Sequence, residues 1–390
     1  AFLATIPITA YHFRTVPLYG ILVNVLVIPA IGFIVMNLFL VLFAGIFWLP
    51  AGVFLAALPD QCIRLLNVIL EHLRTAGFGA IQIPHFGMEY IFLAYAVLIV
   101  FVLWKYPITK RVALYGLLIG LNLAVVILGK RTEKLRVTFF DVGQADAALI
   151  EAPGDVNILV DAGDISLYSD SGTKVLIPYF RYQGIDHLNL AILSHPHADH
   201  IGGLPAILKD MPVEEVWTIR QNYDSGLYEK IMEIAGNQGV SVRYVNAGFD
   251  TTIHELRILT LFPTRDFHNE NINNHSIVQK FLYGKSSVLF PGDMEVEIDE
   301  KLHPYDSYLS ADLFKVPHHG SITSSSIELL QLISPDYAVI SVGKGNKFGH
   351  PSEEVIKRYS EMDIQTLLTR DHGAVVFESD GQRWERIHWR

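Results

Sequence analysis

The sequence has little cysteine and, over long stretches, no charge. The single cysteine, Cys62, excludes an intrachain disulfide, so every domain must be stable without one. No charged side chain lies between Arg14 and Asp60, and residues 112–129 are also uncharged. A soluble protein would need a large polar shell to bury apolar runs of this length, and the sequence does not contain one. The first third is therefore predicted to lie in a membrane.

An excess of positive charge is also missing. The chain contains thirty Lys and Arg residues and forty Asp and Glu residues, giving a net charge of −10. This balance excludes a broadly basic nucleic-acid coat, but not a nucleic-acid enzyme whose positive charge comes from bound metals. After Lys130 the composition becomes that of an ordinary soluble domain. We therefore predict a membrane part at residues 1–130 and a soluble domain at residues 131–390.

The membrane part is predicted to contain several helices. Residues 31–47, 88–104 and 112–128 are expected to span the bilayer, with Pro29 breaking the chain ahead of the first span. Residues 52–73 carry charges at helical spacing, which predicts an amphipathic helix at the interface or facing a pore. The chain is thus expected to be a multi-pass protein of the cell membrane.

The loop at residues 105–111 sets the expected orientation. It is short and carries Lys105, Lys110 and Arg111, and short basic loops stay in the cytoplasm. The next span should then deliver the soluble domain to the outer face. Basic residues after the span, such as Lys130, oppose this orientation, but a long domain translocates largely regardless of its charge. The chain begins with Ala1 and has no basic leader, so we expect a C-terminal part of a longer protein.

The second part alternates short β-rich runs with turns and helices. LRVTFF, DAALIE and VNILVD predict successive strands, and residues 188–193 predict a buried strand. Strands followed by helices within each group predict two packed sheets covered by helices.

Directly after that buried strand comes HPHADH, the most specific stretch of the sequence. It places His195, His197, Asp199 and His200 in the spacing H-x-H-x-D-H. A loop leaving a strand can direct His195 and His197 to one metal while Asp199 and His200 face a second. Imidazole and carboxylate ligands suit zinc, and manganese is possible. Two divalent metal ions are therefore predicted here.

This spacing resembles the motif of the metallo-β-lactamase superfamily, and other stretches narrow the resemblance. FFDVGQADA, LVDAGD, FPGDM, KVPHHGSITSSS and FGHPS follow one another in an order similar to the ComEC family of competence DNA-internalisation proteins. The apolar first part resembles the end of that family's membrane domain, so the resemblance covers the whole chain. It implies a multi-domain protein in which transmembrane helices precede an αββα sandwich of the metallo-β-lactamase type.

The resemblance also implies ligand roles. His195 and His197 would bind the first metal, Asp199 and His200 the second, and Asp293 would bridge both. His275 would complete the first site, where relatives often carry asparagine, and Asn274 is a polar alternative. His318 is preferred to His319 for closing the second site because it comes sooner after its strand. His319 would then contact a ligand or the substrate.

Further polar residues receive supporting roles. Asp141, Asp146 and Asp161 are expected to orient ligand histidines, with capping of strand ends as the alternative. His350 is expected to donate a hydrogen bond to a phosphate oxygen or leaving group, or else to cap the helix that follows it. Asp199, Asp293 and His350 are the expected catalytic residues.

The function that the resemblance implies is DNA uptake in natural transformation. The membrane part would conduct single-stranded DNA, and the metal-dependent domain, a nuclease, would degrade the strand that does not enter. Expected partners are DNA, the lipid bilayer, other DNA-uptake proteins and the N-terminal part of the chain itself. Two alternatives remain: a membrane-anchored hydrolase of a small ester such as a phosphocholine or a lactone, and a DNA channel whose domain is catalytically silent.

Overall fold

A computed structural model describes residues 2–13, 15–16, 20–75, 81–82, 88–102, 112, 115–116, 134–166, 170–220 and 225–388. The chain divides into two compact units, one formed chiefly by Ala1–Lys130 and the other by Arg131–Arg181 and Ile185–Arg390.

The first unit is helical. Its helices are α1 (Phe2–Phe13), α2 (Gly20–Phe47), α3 (Leu49–Thr75) and α4 (Met88–Val102). Two short strands, β1 (Thr15–Val16) and β2 (Ile81–Gln82), pair antiparallel.

Two of these helices are long and apolar enough to cross a membrane, namely the segments Val23–Phe47 of α2 and Leu49–His72 of α3. Their apolar side chains are largely exposed: Phe47 is 76% exposed and Phe54 79%. Exposed apolar surface of this extent fits contact with lipid rather than with water. The predicted break at Pro29 is wrong, because α2 continues through this residue.

The remaining membrane predictions are only partly described. The span predicted at residues 88–104 corresponds to α4, which the structure describes from Met88 to Val102. The span at residues 112–128 lies largely outside the described residues, and so does the basic loop at residues 105–111.

The second unit contains two large mixed sheets. The eight-stranded sheet has the order β17-β16-β3-β4-β5-β6-β7-β8. Its strands are β3 (Leu135–Phe139), β4 (Ala147–Ala152), β5 (Val156–Ala162), β6 (Leu188–Ile192), β7 (Val213–Thr218), β8 (Ser241–Tyr244), β16 (Val375–Ser379) and β17 (Trp384–Ile387). The four strands β5 to β8 are parallel neighbours.

The seven-stranded sheet has the order β15-β14-β13-β12-β11-β10-β9. Its strands are β9 (Asp250–Ile253), β10 (Leu256–Phe262), β11 (Val278–Tyr283), β12 (Ser286–Phe290), β13 (Leu313–Lys315), β14 (Tyr337–Ile340) and β15 (Gln365–Leu368). The strands β12 to β15 are parallel neighbours, so their carboxyl ends share one edge of the sheet.

Helices cover the outer face of each sheet. On the first sheet lie α5 (Ile177–Gln183), α6 (Ala198–Ile201), α7 (Leu204–Asp210) and α8 (Gly226–Gln238). The later helices are α9 (Asp299–Leu302), α10 (Asp306–Leu309), α11 (Ile327–Ile333), α12 (Glu353–Glu361) and α13 (Thr369–His372).

Successive side chains on each strand point to opposite faces of the sheet, and this alternation produces the inter-sheet core and the two outer helical layers. On β6, Leu190 and Ile192 pack between the two sheets, whereas Ala191 packs against the outer helices. On β12, Val288 faces the inter-sheet core and Leu289 the helices of the second sheet. Both faces of the central strands are therefore buried, as expected for parallel sheets. The predicted αββα sandwich is confirmed.

Candidate metal centre

The HPHADH stretch forms the turn between β6 and α6. His197 is extended (φ −75°, ψ 147°) and immediately precedes α6, which carries Asp199 and His200. His195 and His200 are fully buried. A short loop at the carboxyl end of a buried parallel strand, together with the start of α6, thus carries four potential metal ligands.

His195 and His197 turn ring nitrogens towards each other. Nε2 of His195 lies 3.0 Å from Nδ1 of His197. The opposite nitrogen of His195, Nδ1, lies 3.1 Å from the hydroxyl of Ser194 and 3.3 Å from that of Ser276, which leaves Nε2 on the side of the centre. Burial lowers the pKa of His195 well below its usual value, so the ring is neutral at pH 7, as a metal ligand must be.

Asp161 contacts Nδ1 of His200, the ring nitrogen opposite the one directed at Asp293. Its Oδ2 lies 2.8 Å from Nδ1 of His200, and its carboxylate accepts hydrogen bonds from the amide and the hydroxyl of Ser194, both at 2.8 Å. A ligand histidine commonly donates its second ring N–H to a carboxylate in this way, which directs Nε2 to the metal. The expected orienting role of Asp161 matches this geometry.

Asp293 follows β12 in the stretch FPGD and lies at the middle of the group. Its Oδ2 is 3.1 Å from Nε2 of His200 and 3.7 Å from Nε2 of His319. Its backbone N–H donates to Ser276 Oγ at 2.9 Å, which fixes the turn. Burial would raise the pKa of Asp293, but the positive charges of His200, His319 and Lys315 bring it well below the ordinary value. The carboxylate is therefore ionised at neutral pH.

The pair His318–His319 corrects the preference for His318. Both residues have left-handed backbone (φ 49° and 52°), which is unusual for non-glycine residues and turns the second ring inwards. Nδ1 of His319 lies 2.9 Å from the carbonyl oxygen of Ser341, and its Nε2 lies 3.4 Å from Asp199 Oδ2. His318 instead points its Nδ1 to Glu295, at 3.4 Å. The structure brings His319, and not His318, into the group.

A buried ion pair between Lys315 and Asp146 lies against the centre. A role was predicted from the sequence for Asp146 but not for Lys315. The Lys315 ammonium, 4% exposed, contacts Asp146 Oδ2 and lies 3.6 Å from Asp293 Oδ1. Asp146 in turn lies 3.8 Å from Nδ1 of both His200 and His319. The available signal was a lone lysine within the apolar strand sequence LFKVP. A charge in such a position needs a buried partner.

The chemistry of the group fits a divalent metal. Asp146, His200, Asp293 and His319 each offer one ligand atom, and these atoms all lie within 4.8 Å of one another. Nε2 of His200 and Nε2 of His319 face the carboxylates of Asp293 and Asp199 at 3.1 and 3.4 Å, but neither makes a well-aligned hydrogen bond within the described part of the chain. Buried polar atoms without partners are rare and costly, and a metal ion would satisfy both.

Neither predicted third ligand of the first metal reaches the group. Nε2 of His275 engages the backbone of Asn269 at 2.9–3.1 Å, and its ring packs against Phe267 at 5.0 Å. The side chain of Asn274 donates to Glu297 at 3.0 Å. The short helical turn Ile272–His275 directs these side chains away from His195 and leaves the next residue, Ser276, beside it.

Asp141 also lies apart from the centre. It follows the end of β3 and is exposed, and its carboxylate accepts one long hydrogen bond (3.4 Å) from the Gly143 amide. The expected orienting role therefore does not apply to Asp141. His350 sits nearer, with its ring centroid 5.7 Å from that of His318. Helix α12 is capped by Ser352, which removes the capping alternative for His350.

Comparisons with known proteins agree with this architecture. Residues 140–344, more than half of the chain, match the family model for the metallo-beta-lactamase superfamily. Residues 1–107 match the model for competence protein. ComE operon protein 3 of Bacillus subtilis is 26% identical over 400 residues, an alignment that covers 96% of this chain and 50% of that protein. Competence protein ComA of Neisseria gonorrhoeae is 27% identical over 242 residues, covering 62% and 32% respectively.

The chain spans about half the length of the first of these relatives. Among solved structures, the metallo-beta-lactamase fold protein YhfI from Bacillus subtilis aligns with a TM-score of 0.46 at 13% identity, covering 64% of this chain and 100% of that one.

Proposed function

The chain belongs to the metallo-β-lactamase superfamily and carries a competence-protein segment ahead of that domain, and on this basis we propose that it is a membrane protein of DNA uptake whose second unit hydrolyses phosphodiester bonds. The observation that carries the proposal is the convergence of buried histidine nitrogens and aspartate oxygens at one edge of the sandwich. A hydrolytic metal centre in the same chain as a competence segment favours DNA as the substrate.

We assign the ligands from the direction of their ring nitrogens and carboxylate oxygens. His195 Nε2 and His197 Nδ1, 3.0 Å apart, would hold a first divalent metal. A second would be held by Asp199, His200 Nε2 and His319 Nε2. Asp293 would bridge the two positions, because its charge acts on His195 and His197 of the first and its Oδ2 lies 3.1 Å from Nε2 of His200 in the second. Zinc is the metal that suits this donor set best, with manganese as the second choice.

The first position would then have few protein ligands, since His275 and Asn274 face elsewhere. Catalytic metal sites keep such an open position for substrate or water. Its neighbour Ser276 approaches His195 from behind, at the nitrogen that faces away from the centre. The open side is thus where the scissile phosphate would enter.

Metals bound here would generate a nucleophile from water near neutral pH and neutralise charge on the phosphate. The chain's own groups prepare the site. Asp161 and the Ser341 carbonyl hold protons on Nδ1 of His200 and His319, so that both Nε2 atoms stay available. Lys315 balances the charge of Asp146 and Asp293. His350, whose pKa is lowered by burial and by the neighbouring histidines, would contact a phosphate oxygen or leaving group as a neutral imidazole.

In the cell, the hydrolase would degrade the strand that does not cross the membrane. This role requires the second unit to face outwards, and the basic loop at residues 105–111 supports that orientation. A reporter fused to the C-terminus should therefore be active outside the cytoplasm, and activity confined to the cytoplasm would contradict the role. Other DNA-uptake proteins would supply the DNA.

A panel of substrates tests the proposed reaction. The whole chain, purified in detergent and loaded with zinc or manganese, should cleave labelled single- or double-stranded DNA and leave a phosphocholine ester and a lactone intact. The opposite selectivity would identify a small-ester hydrolase. Failure on every substrate with both metals bound would favour a channel with a silent domain.

A further inference from the structure

A second feature of the metal-centre edge is a large polar cavity with a volume of about 690 Å³. Drug-sized and cofactor-sized ligands occupy pockets of about 300–1,000 Å³, so the space suits one or two nucleotides but not a duplex. Its lining includes Arg220, Tyr244, Arg265, Phe267 and His275.

The cavity lies along the edge that carries the metal centre. Arg220 follows the carboxyl end of β7, and Tyr244 ends β8. Because β6, β7 and β8 are parallel neighbours, these residues follow the HPHADH turn at successive strand spacings, about 10 Å in total. On the other side, His275 lines the cavity and precedes Ser276, whose hydroxyl lies 3.3 Å from His195.

Two arginines give the cavity positive charge. Neither Arg220 nor Arg265 forms an ion pair with any residue that the structure describes. By contrast, the nearby arginines Arg243 and Arg257 are paired with Glu215 and Asp250. In a chain of net charge −10, two guanidinium groups in one concave surface, neither of them ion-paired within the described residues, form a local site for anions. Acidic residues on the same loop, such as Asp266, do not line the cavity.

Aromatic rings accompany these guanidinium groups. The Arg220 guanidinium carbon lies 5.2 Å from the centroid of the Tyr244 ring, which is 44% exposed. Phe267 is half-buried and packs edge-to-face against His275. Unpaired nucleic-acid strands are bound by positive groups on the backbone together with aromatic or guanidinium planes on which bases stack. Exposed Tyr244 and its stacked arginine offer both features at once.

We propose that this cavity binds single-stranded DNA next to the scissile phosphate, with Arg220 and Arg265 contacting backbone phosphates and Tyr244 stacking on a base. The proposal rests on the proposed nuclease function, because it supplies the substrate contacts on one side of that centre. It explains how an acidic domain retains a polyanionic strand at the open metal position. A duplex cannot offer unpaired bases to Tyr244, so single-stranded DNA is the preferred ligand.

The test measures binding without hydrolysis. The whole chain in detergent, treated with EDTA, is titrated against fluorescein-labelled oligothymidylate, and anisotropy is followed over a range of salt concentrations. The double variant Arg220→Ala/Arg265→Ala should raise the Kd at least tenfold. It should also reduce the slope of log K against log salt by about 1.4, because each lost phosphate contact accounts for about 0.7. Tyr244→Ala should raise the Kd with little change in that slope.

The matched control is Arg257→Ala, which removes an exposed, ion-paired arginine from the start of β10 and should leave both Kd and slope unchanged. Metal content of the double variant should equal that of the unmodified chain, showing that the centre is intact. Equal Kd and slope in the double variant and the control would overturn the proposal. If the cavity variants lose binding but the metal-loaded unmodified chain never cuts DNA, the proposed nuclease function fails while the binding site stands.

Discussion

Replacing Asp161 by asparagine tests how the centre prepares its ligands. The carboxylate accepts three hydrogen bonds at 2.8 Å, from the amide and hydroxyl of Ser194 and from Nδ1 of His200. Asparagine keeps the shape but replaces one oxygen by an NH₂ donor. The Ser194 amide can only donate, so it keeps the remaining oxygen. The new NH₂ group must therefore face Nδ1 of His200.

That exchange changes the tautomer of His200. A donor opposite Nδ1 favours the form with its proton on Nε2, the atom directed at Asp293 and the proposed metal. Loss of the partner that orients a ligand histidine typically lowers metal affinity 10–100-fold, and we expect the upper end because the tautomer is also reversed. Without metal, one poorly matched buried group should lower the free energy of unfolding by about 1–3 kcal/mol.

Two measurements on the whole chain check these values: competition for zinc with a chromophoric chelator, and denaturant unfolding in EDTA. Asp141→Asn is the matched control, because it makes the same chemical change at an exposed carboxylate that touches no ligand histidine. Unchanged metal affinity in Asp161→Asn would refute the tautomer argument. An equal loss in Asp141→Asn would refute the placement of Asp141 away from the centre.

Three further predictions follow from the same geometry. His319→Ala should lower bound metal by about one ion per chain in elemental analysis, whereas His318→Ala should retain both. Lys315→Met leaves the carboxylates of Asp146 and Asp293 uncompensated and should cost about 3–5 kcal/mol of unfolding free energy in denaturant titrations. Burial would lower the pKa of metal-free His200, but Asp293 and Asp161 raise it well above 6.5. Its stabilisation is therefore complete below about pH 6.5 and is lost as pH rises through the folded-state pKa. Metal binding displaces that proton, so zinc affinity should rise with pH over the same range. Thermal unfolding and zinc titration from pH 6 to 9 check both trends. A pH-independent zinc affinity would contradict this prediction.

Much of the architecture was predictable because local patterns agreed with the global fold. The run at residues 188–193 is uniformly apolar, as a strand buried on both faces must be, and β6 occupies Leu188–Ile192. The runs LRVTFF, DAALIE and VNILVD likewise correspond to β3, β4 and β5. By contrast, β9 (Asp250–Ile253) is only four residues long and shows no run of alternating apolar residues, and it is formed through pairing with β10.

The centre was predictable where ligands are close in sequence and less so where they are distant. HPHADH specifies its own turn, so His195, His197 and His200 lie together. The choice between His318 and His319 depends on two consecutive left-handed residues, which no composition signal indicates. Lys315 gains its role only through Asp146, a residue 169 positions away in sequence. Similarly, α2 continues through Pro29 because a single missing hydrogen bond does not break a long apolar helix.

We propose that the buried histidine–aspartate group is a metal centre that hydrolyses DNA. The most direct measurement is the cleavage rate of end-labelled single-stranded DNA by the whole chain and by Asp293→Asn, each with its metal content determined. Asp293→Asn keeps the shape of the residue but weakens the proposed bridge. Its rate should fall roughly a thousandfold, equivalent to about 4 kcal/mol of transition-state stabilisation. Intact DNA after incubation with the fully metal-loaded chain, or equal cleavage by Asp293→Asn, would contradict the claim.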